Sequence, residues 1–190
     1  MGNYQADPDV ALMMRVSRGD EAAFEQLVLK YQKPVINFVF RYTGNAAAAE
    51  DIAQDVFVRA YRAASSYRPD AKFSTWLFTI VRNLCSNYRT REGRLDQRMD
   101  SEADMNMILP GEPSPEDMAV RKEIEERIQE AIESLPESLR IPLILHQFQE
   151  MQYDEVAQVL GISLAAVKVR IHRAKLNLAE KLRPYIEGVT

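Results

Sequence analysis

The sequence predicts an all-α fold in which two small helical domains are joined by a flexible acidic linker. Three observations carry this reading. Apolar residues recur at three- and four-residue steps along most of the 190 residues. No stretch alternates apolar and polar residues as a half-buried strand would. Between two helix-patterned regions, residues 95–120 hold seven acids (Asp96, Asp100, Glu102, Asp104, Glu112, Glu116, Asp117) against one base, Arg98, and Pro110, Gly111, Pro113 and Pro115 cluster towards the end. Met105, Met107, Ile108 and Leu109 form no sustained stripe there, so an extended or mobile tether is expected.

In the first domain, Asp20 is a candidate N-cap, and Phe24, Leu27, Val28 and Tyr31 follow at helical spacing. Pro34 interrupts before Val35, Phe38, Val39 and Tyr42 resume up to Gly44, which predicts a kinked helix or a pair. Asn45 can cap a second helix with Ile52, Val56, Ala60 and Ala63 inward and Asp51, Gln54, Asp55, Arg59 and Arg62 outward. Ser74 is the expected cap of a third, through "TWLFTIVRNLCSNYRTRE", with Leu77, Ile80, Val81 and Leu84 inward and Gly93 as its stop.

Beyond the tether, Ser114 at N-cap, Pro115 at N1 and acids in the first turn suit a helix start, because the first turn's free N–H groups carry partial positive charge. A further helix is expected from near Pro136, burying Leu139, Leu143 and Ile144. A short helix through Ala157 and Leu160 then meets Gly161, and Ser163 caps the last helix. Two helices crossing through a tight turn need a small residue at the contact (Ala157), a glycine able to turn left-handed (Gly161) and a branched wedge (Val167). This is a helix-turn-helix layout.

Charge gives that layout a use. The chain carries a formal net charge of −4, yet residues 162–183 hold six bases (Lys168, Arg170, Arg173, Lys175, Lys181, Arg183) against Glu180. With Leu164, Val167, Ile171, Ala174 and Leu178 facing the core, Lys168, Val169, His172, Arg173 and Lys175 are expected on the outer face, where a recognition helix would enter a major groove and neutralise phosphates. A second basic segment, with Arg82, Arg89, Arg91 and Arg94 against Glu92, lies just before the tether.

Other function classes find little support. The single Cys85 cannot form an internal disulfide and has no companions for a zinc site, which fits a reducing compartment. No metal site, cofactor or catalytic residue is expected, since paired carboxylates, a His cluster and a phosphate-cradling Gly loop are missing from the sequence; His146 and His172 have simpler explanations. "MGNYQADPDV" lacks the basic-then-apolar layout of a signal peptide, and no apolar run approaches the ~20 residues of a membrane span, so a cytoplasmic protein is expected.

Four segments, in order, give the chain a resemblance over roughly residues 9–183: "GDEAAFEQLVLKYQ", "AEDIAQDVFVRAYRA", "FSTWLFTIVRNLCSNYRTR" and "LPESLRIPLILHQFQEMQYDEVAQVLGISLAAVKVRIHRAK". Together they resemble the bacterial sigma factors, specifically the two-domain extracytoplasmic-function group of the sigma-70 family. The resemblance implies a region 2-like domain over 9–94, the linker over 95–115, and a region 4-like helix-turn-helix domain over 116–184.

By position, it implies that Asp51, Gln54 and Asp55 grip the clamp helices of the largest subunit of RNA polymerase core, with the polymerase flap as a further partner. It implies −10 element recognition and melting by Asn83 and Asn87, which suit base edges, and by Arg82, Arg89, Arg91 and Arg94, which suit the backbone. Phe73 and Trp76 stand open between domain core and DNA-facing wall. It implies −35 recognition by Lys168, Val169, Arg170, His172, Arg173 and Lys175. The linker is implied to run through polymerase channels, although a plain spacer remains open.

Where many relatives read "GTVRSR" this chain reads "AAVKVR", so the −35 preference does not transfer. The group is commonly held idle by an anti-sigma factor, in some cases membrane-tethered; Val58 and Val169 are candidate contacts. A stand-alone regulator using only the helix-turn-helix, and a nucleic-acid enzyme, are the competing readings.

Overall fold

The computed structural model describes residues 4–92 and 115–187, with side chains left out over 89–120 and after Tyr185. All regular structure among the described residues is helical. A short 3-10 turn at Tyr4–Ala6 leads into α1, Pro8–Val16. The sequence reading passed over this helix. Asp7 caps it by accepting from the Asp9 N–H at 2.9 Å, and Pro8 sits where its missing N–H costs nothing.

Helix α2, Glu21–Thr43, starts where Asp20 accepts from the Ala23 N–H at 3.0 Å and ends at Gly44, whose left-handed backbone (φ 72°) closes it. It runs through Pro34 as one continuous helix, because the apolar stripe continues into Val35, Phe38 and Val39, all fully buried, and their packing outweighs the missing N–H bond and the crowding of the proline ring on the Lys30 carbonyl. Helix α3, Ala46–Arg62, is capped by Asn45 and turns Ile52, Ala53, Val56 and Ala60 inward. Helix α4, Phe73–Glu92, opens two residues earlier than a Ser74 cap would set it: the Trp76 N–H donates to the Lys72 carbonyl at 3.2 Å.

Asp9 staples α1 to α2. The residue is 6% exposed, and its carboxylate takes Lys30 Nζ at 2.6 Å and the Tyr31 hydroxyl at 2.6 Å. Burial, followed by the neighbouring Asp9 anion, pushes the Tyr31 phenol well above its usual range, so it stays a donor. Phe73 sits against Tyr31 (ring centroids 5.2 Å) and Trp76 (5.7 Å) and is 1% exposed. Cys85 is wholly buried in the same body, and burial raises its thiol. It is therefore expected to resist iodoacetamide in the native protein and to label only in denaturant; rapid native labelling, read by intact mass, would contradict this.

The second body comprises α5 (Pro115–Glu133), α6 (Glu137–Gln147), α7 (Tyr153–Leu160) and α8 (Leu164–Glu187). Ser114 and Gly93, the expected cap and stop, lie outside the described residues, as does the expected linker 95–115 apart from Pro115. Gly161 is left-handed (φ 65°) and its successor's N–H reaches back to the Ala157 carbonyl at 3.1 Å, while Ser163 accepts from the Ala166 N–H at 3.2 Å. That is the turn and the cap of the helix-turn-helix.

The two bodies meet directly. Helix α4 packs on α7, and α2 packs on α5 and α6, so buried side chains from both bodies, Phe38 and Ile144 among them, belong to one continuous cluster. The sequence predicts two domains joined by a flexible linker, and in the structure they also share a core. Arg140, 4% exposed on α6, explains part of the closure: its guanidinium donates to the Tyr42 carbonyl (2.8 Å), the Leu135 carbonyl (2.9 Å) and the Glu133 carbonyl, three acceptors left over where α2 and α5 end. Gln129 Nε2 adds donors to the Phe40 and Arg41 carbonyls, and the Arg41 guanidinium lies 3.9 Å over the Phe148 ring. Gly44 completes the approach, since a Cβ there would run into the Glu133 carboxylate.

Candidate nucleic-acid interface

Three outward faces carry the candidate residues. The first is on α3, where Asp51, Gln54 and Asp55 are all exposed while Ile52 and Val56 between them are buried. Neither carboxylate makes an ion pair with any described residue. A face with two unneutralised acids and an amide on a rigid helix suits a basic partner helix.

The second face is on α4. Asn83 and Asn87 are exposed one helical turn apart, with amide groups free to meet base edges. Trp76 is half-buried, its ring held against Tyr67 at 5.1 Å, so one edge reaches the surface. Phe73 corrects the sequence reading: fully buried among Tyr31, Tyr67 and Trp76, it is a core residue that supports the wall and presents no ring to a base. Arg82 is half-buried, with no hydrogen-bond partner for its enclosed Nε among the described residues. Arg89 and Arg91 fall in the last turns of α4, where only the backbone is described, and Arg94 lies outside the described residues.

The third face is on α8. Val167, Ile171 and Ala174 are buried to 1% or less, which turns Lys168, Val169, His172, Arg173 and Lys175 outward. Arg170 is half-buried at the flank of that face, and Val169 is 50% exposed at its centre. Leu164, expected inward, is 44% exposed because it is the first helical residue and precedes the turn that packs on α7. None of Lys168, Arg170, Arg173 and Lys175 forms an ion pair with a described residue, so the positive field of this face is uncompensated. His146, by contrast, is structural: its Nδ1 lies 2.9 Å from the Met151 carbonyl and its ring stacks 4.4 Å from Tyr153.

Lys72 was not singled out in the sequence, and it joins the second face to the second body. Its Nζ lies 2.7 Å from Glu155 Oε1 on α7, and hydrogen bonding to that carboxylate raises the lysine's pKa. The available signal was its spacing, one turn before Trp76 on the Asn83 and Asn87 side of α4. An apolar groove between α2 and α3, lined by Phe24, Phe57, Val58 and Tyr61, also escaped the sequence reading. Among the described residues, no group of three or more His, Cys, Asp or Glu could hold a metal ion.

Known proteins resemble this chain along most of its length. The family described as Sigma-70 region 2 matches residues 27–95, and that described as Sigma-70, region 4 matches residues 125–178. The RNA polymerase sigma-H factor of Pseudomonas aeruginosa is 36% identical, covering 95% of this chain and 96% of that one. The ECF RNA polymerase sigma-E factor of Escherichia coli K12 is 34% identical, covering 94% of this chain and 96% of that one. Among solved structures, that of CnrH in complex with the cytosolic domain of CnrY superposes with a TM-score of 0.73 at 27% identity, covering 94% of this chain and 99% of CnrH. The sigma factor RpoE of Bartonella quintana, solved with the anti-sigma factor NepR, shares the fold at a TM-score of 0.66 and 23% identity, over 84% of this chain and 96% of RpoE.

Proposed function

This chain belongs to the sigma-70 family, in its extracytoplasmic-function group, and is a transcription initiation factor rather than an enzyme; we propose the following division of labour among its surfaces. Residues 9–94 form the domain that binds core polymerase and reads and melts the −10 element. Residues 95–115 link it to the −35 reader, 116–184. Asp51, Gln54 and Asp55 engage the largest subunit's clamp helices. Asn83 and Asn87 take −10 base edges beside Trp76, while Arg82, Arg89, Arg91 and Arg94 hold the backbone. On α8, Lys168, Val169, His172 and Arg173 meet −35 bases, and Arg170 and Lys175 hold phosphates.

The observation that carries this reading is the coexistence on one chain of two DNA-suited helical faces and a separate acidic helix face. A stand-alone helix-turn-helix regulator would need only α8. The acidic face is tested by charge reversal: Asp55→Lys, or Gln54→Ala, is expected to weaken binding to core polymerase about tenfold while the far-UV helical spectrum stays as it was. Unchanged affinity would remove α3 from the polymerase interface.

Control by an anti-sigma factor fits the same surfaces. Val58 and Val169, 46% and 50% exposed, lie beside the proposed polymerase and DNA faces, and Val58 also borders the apolar groove with Phe24, Phe57 and Tyr61. The solved CnrH complex shows that a relative of this fold binds another protein's cytosolic domain. No helix among the described residues is long and apolar enough to cross a membrane, so the reading is a cytoplasmic protein that an inhibitor, itself membrane-tethered in some members of the group, would hold. Purification from native cells is expected to bring down a partner that competes with core polymerase; a chain found free and fully active under all conditions would remove the inhibitor from the account.

A further inference from the structure

Lys72 and Glu155 come from opposite bodies of the chain. The Lys72 carbonyl receives the Trp76 N–H, so this residue begins α4, and helical spacing places it at the head of the stripe that continues through Trp76, Asn83 and Asn87. Its side chain is 50% exposed; that of Glu155 is 11% exposed. The carboxylate does two things at once. Oε2 accepts from the Gln152 N–H at 2.8 Å and closes the start of α7, while Oε1 holds the Lys72 ammonium at 2.7 Å. A second acid of the same body, Glu137, takes the Ser86 hydroxyl on α4 at 2.7 Å.

To a lysine, a carboxylate oxygen and a phosphate oxygen are the same kind of partner: an anionic acceptor for a charge-assisted hydrogen bond. The packing decides which of them Lys72 meets. Helix α4 packs on α7 and α7 on α8, which sets α8 about two packing distances, roughly 20 Å, from α4. Elements centred at −10 and −35 lie about 25 base pairs apart, roughly 85 Å along duplex DNA. The closed arrangement cannot read both, and in it a cation of the −10 face is already occupied.

Resting on the reading that α4 and α8 address these two elements, we propose that Glu155 stands in for a DNA phosphate, occupying Lys72 while the two bodies are packed, and that Lys72 becomes a −10 phosphate ligand when they part. Closure and full −10 engagement then exclude each other at one residue.

The variant Glu155→Gln isolates the charge, because the amide oxygen can still accept from Gln152 N–H. The full-length chain is titrated against a fluorescent single strand carrying the −10 sequence, against a −35 duplex, and in promoter-directed transcription with core polymerase. E155Q is expected to bind the −10 strand about three- to tenfold more tightly than the parent and the −35 duplex equally well. Lys72→Ala is expected to bind the −10 strand more weakly than the parent, and the double variant K72A/E155Q to match K72A. With transcription intact, equal affinities of E155Q and parent, no binding by either, or a gain that persists without Lys72 would overturn the proposal. A parent chain that directs no promoter-specific transcription would instead overturn the reading on which it rests.

Discussion

Replacing Arg140 with alanine is expected to destabilise the folded chain by about 3–4 kcal/mol. The guanidinium is almost fully enclosed and serves carbonyls of Glu133, Leu135 and Tyr42 that terminate two helices. Truncation takes a charged donor from all three acceptors and opens a cavity beneath Tyr42, whose ring lies 5.7 Å from the charge. In a chain of this size the loss corresponds to about 6–16 °C in Tm. Arg140→Lys should recover only part of it, since an ammonium lacks the planar fork that reaches acceptors on both sides. Urea and thermal unfolding measure the effect, and a loss below about 1 kcal/mol would mean that the carbonyls are satisfied without Arg140.

Removing Arg170 and Lys175 together is expected to weaken binding to every −35 duplex alike, more than about tenfold near physiological salt, and to make the salt dependence shallower by about 1.8 in log–log slope. Each cation held to a phosphate releases about one counterion, and these two residues flank the exposed face without contributing its centre. Arg173→Ala or His172→Ala should behave differently. A lost base contact relaxes preference at one position by about 1–3 kcal/mol and leaves other positions as they were. Binding to a panel of single-base variants at several salt concentrations separates the two outcomes, and a His172→Ala chain with every base preference intact would remove that residue from readout.

What the sequence disclosed follows from how local each determinant is. Amphipathic stripes are local, so α3 and α8 were legible with their outer faces, and Gly161 marked the turn because its left-handed backbone disfavours any residue with a Cβ. Helix α1 was missed although Asp7 and Pro8 offered a cap and a first-turn proline, because nine residues make too short a stripe to stand out. Phe73 could not be assigned between core and surface from spacing alone; its burial is decided by Tyr31, 42 residues earlier, whose ring it meets edge-on. The packing of the two bodies left no periodic trace either. It rests on a side chain and a backbone carbonyl 98 positions apart, Arg140 and Tyr42, and on the pairing of Lys72 with Glu155.

The central claim is that this chain confers promoter choice on RNA polymerase through two helices of different bodies. The most direct measurement is transcription by core polymerase on a library of genomic fragments, with the parent chain, with Asn83→Ala/Asn87→Ala on α4, and with Lys168→Ala/Arg173→Ala on α8. The account predicts a defined set of start sites that appears only when the parent chain is added, and loss or redistribution of those sites with either double variant. Start sites that do not depend on the chain, or that survive unchanged when both helix faces are altered, would contradict it.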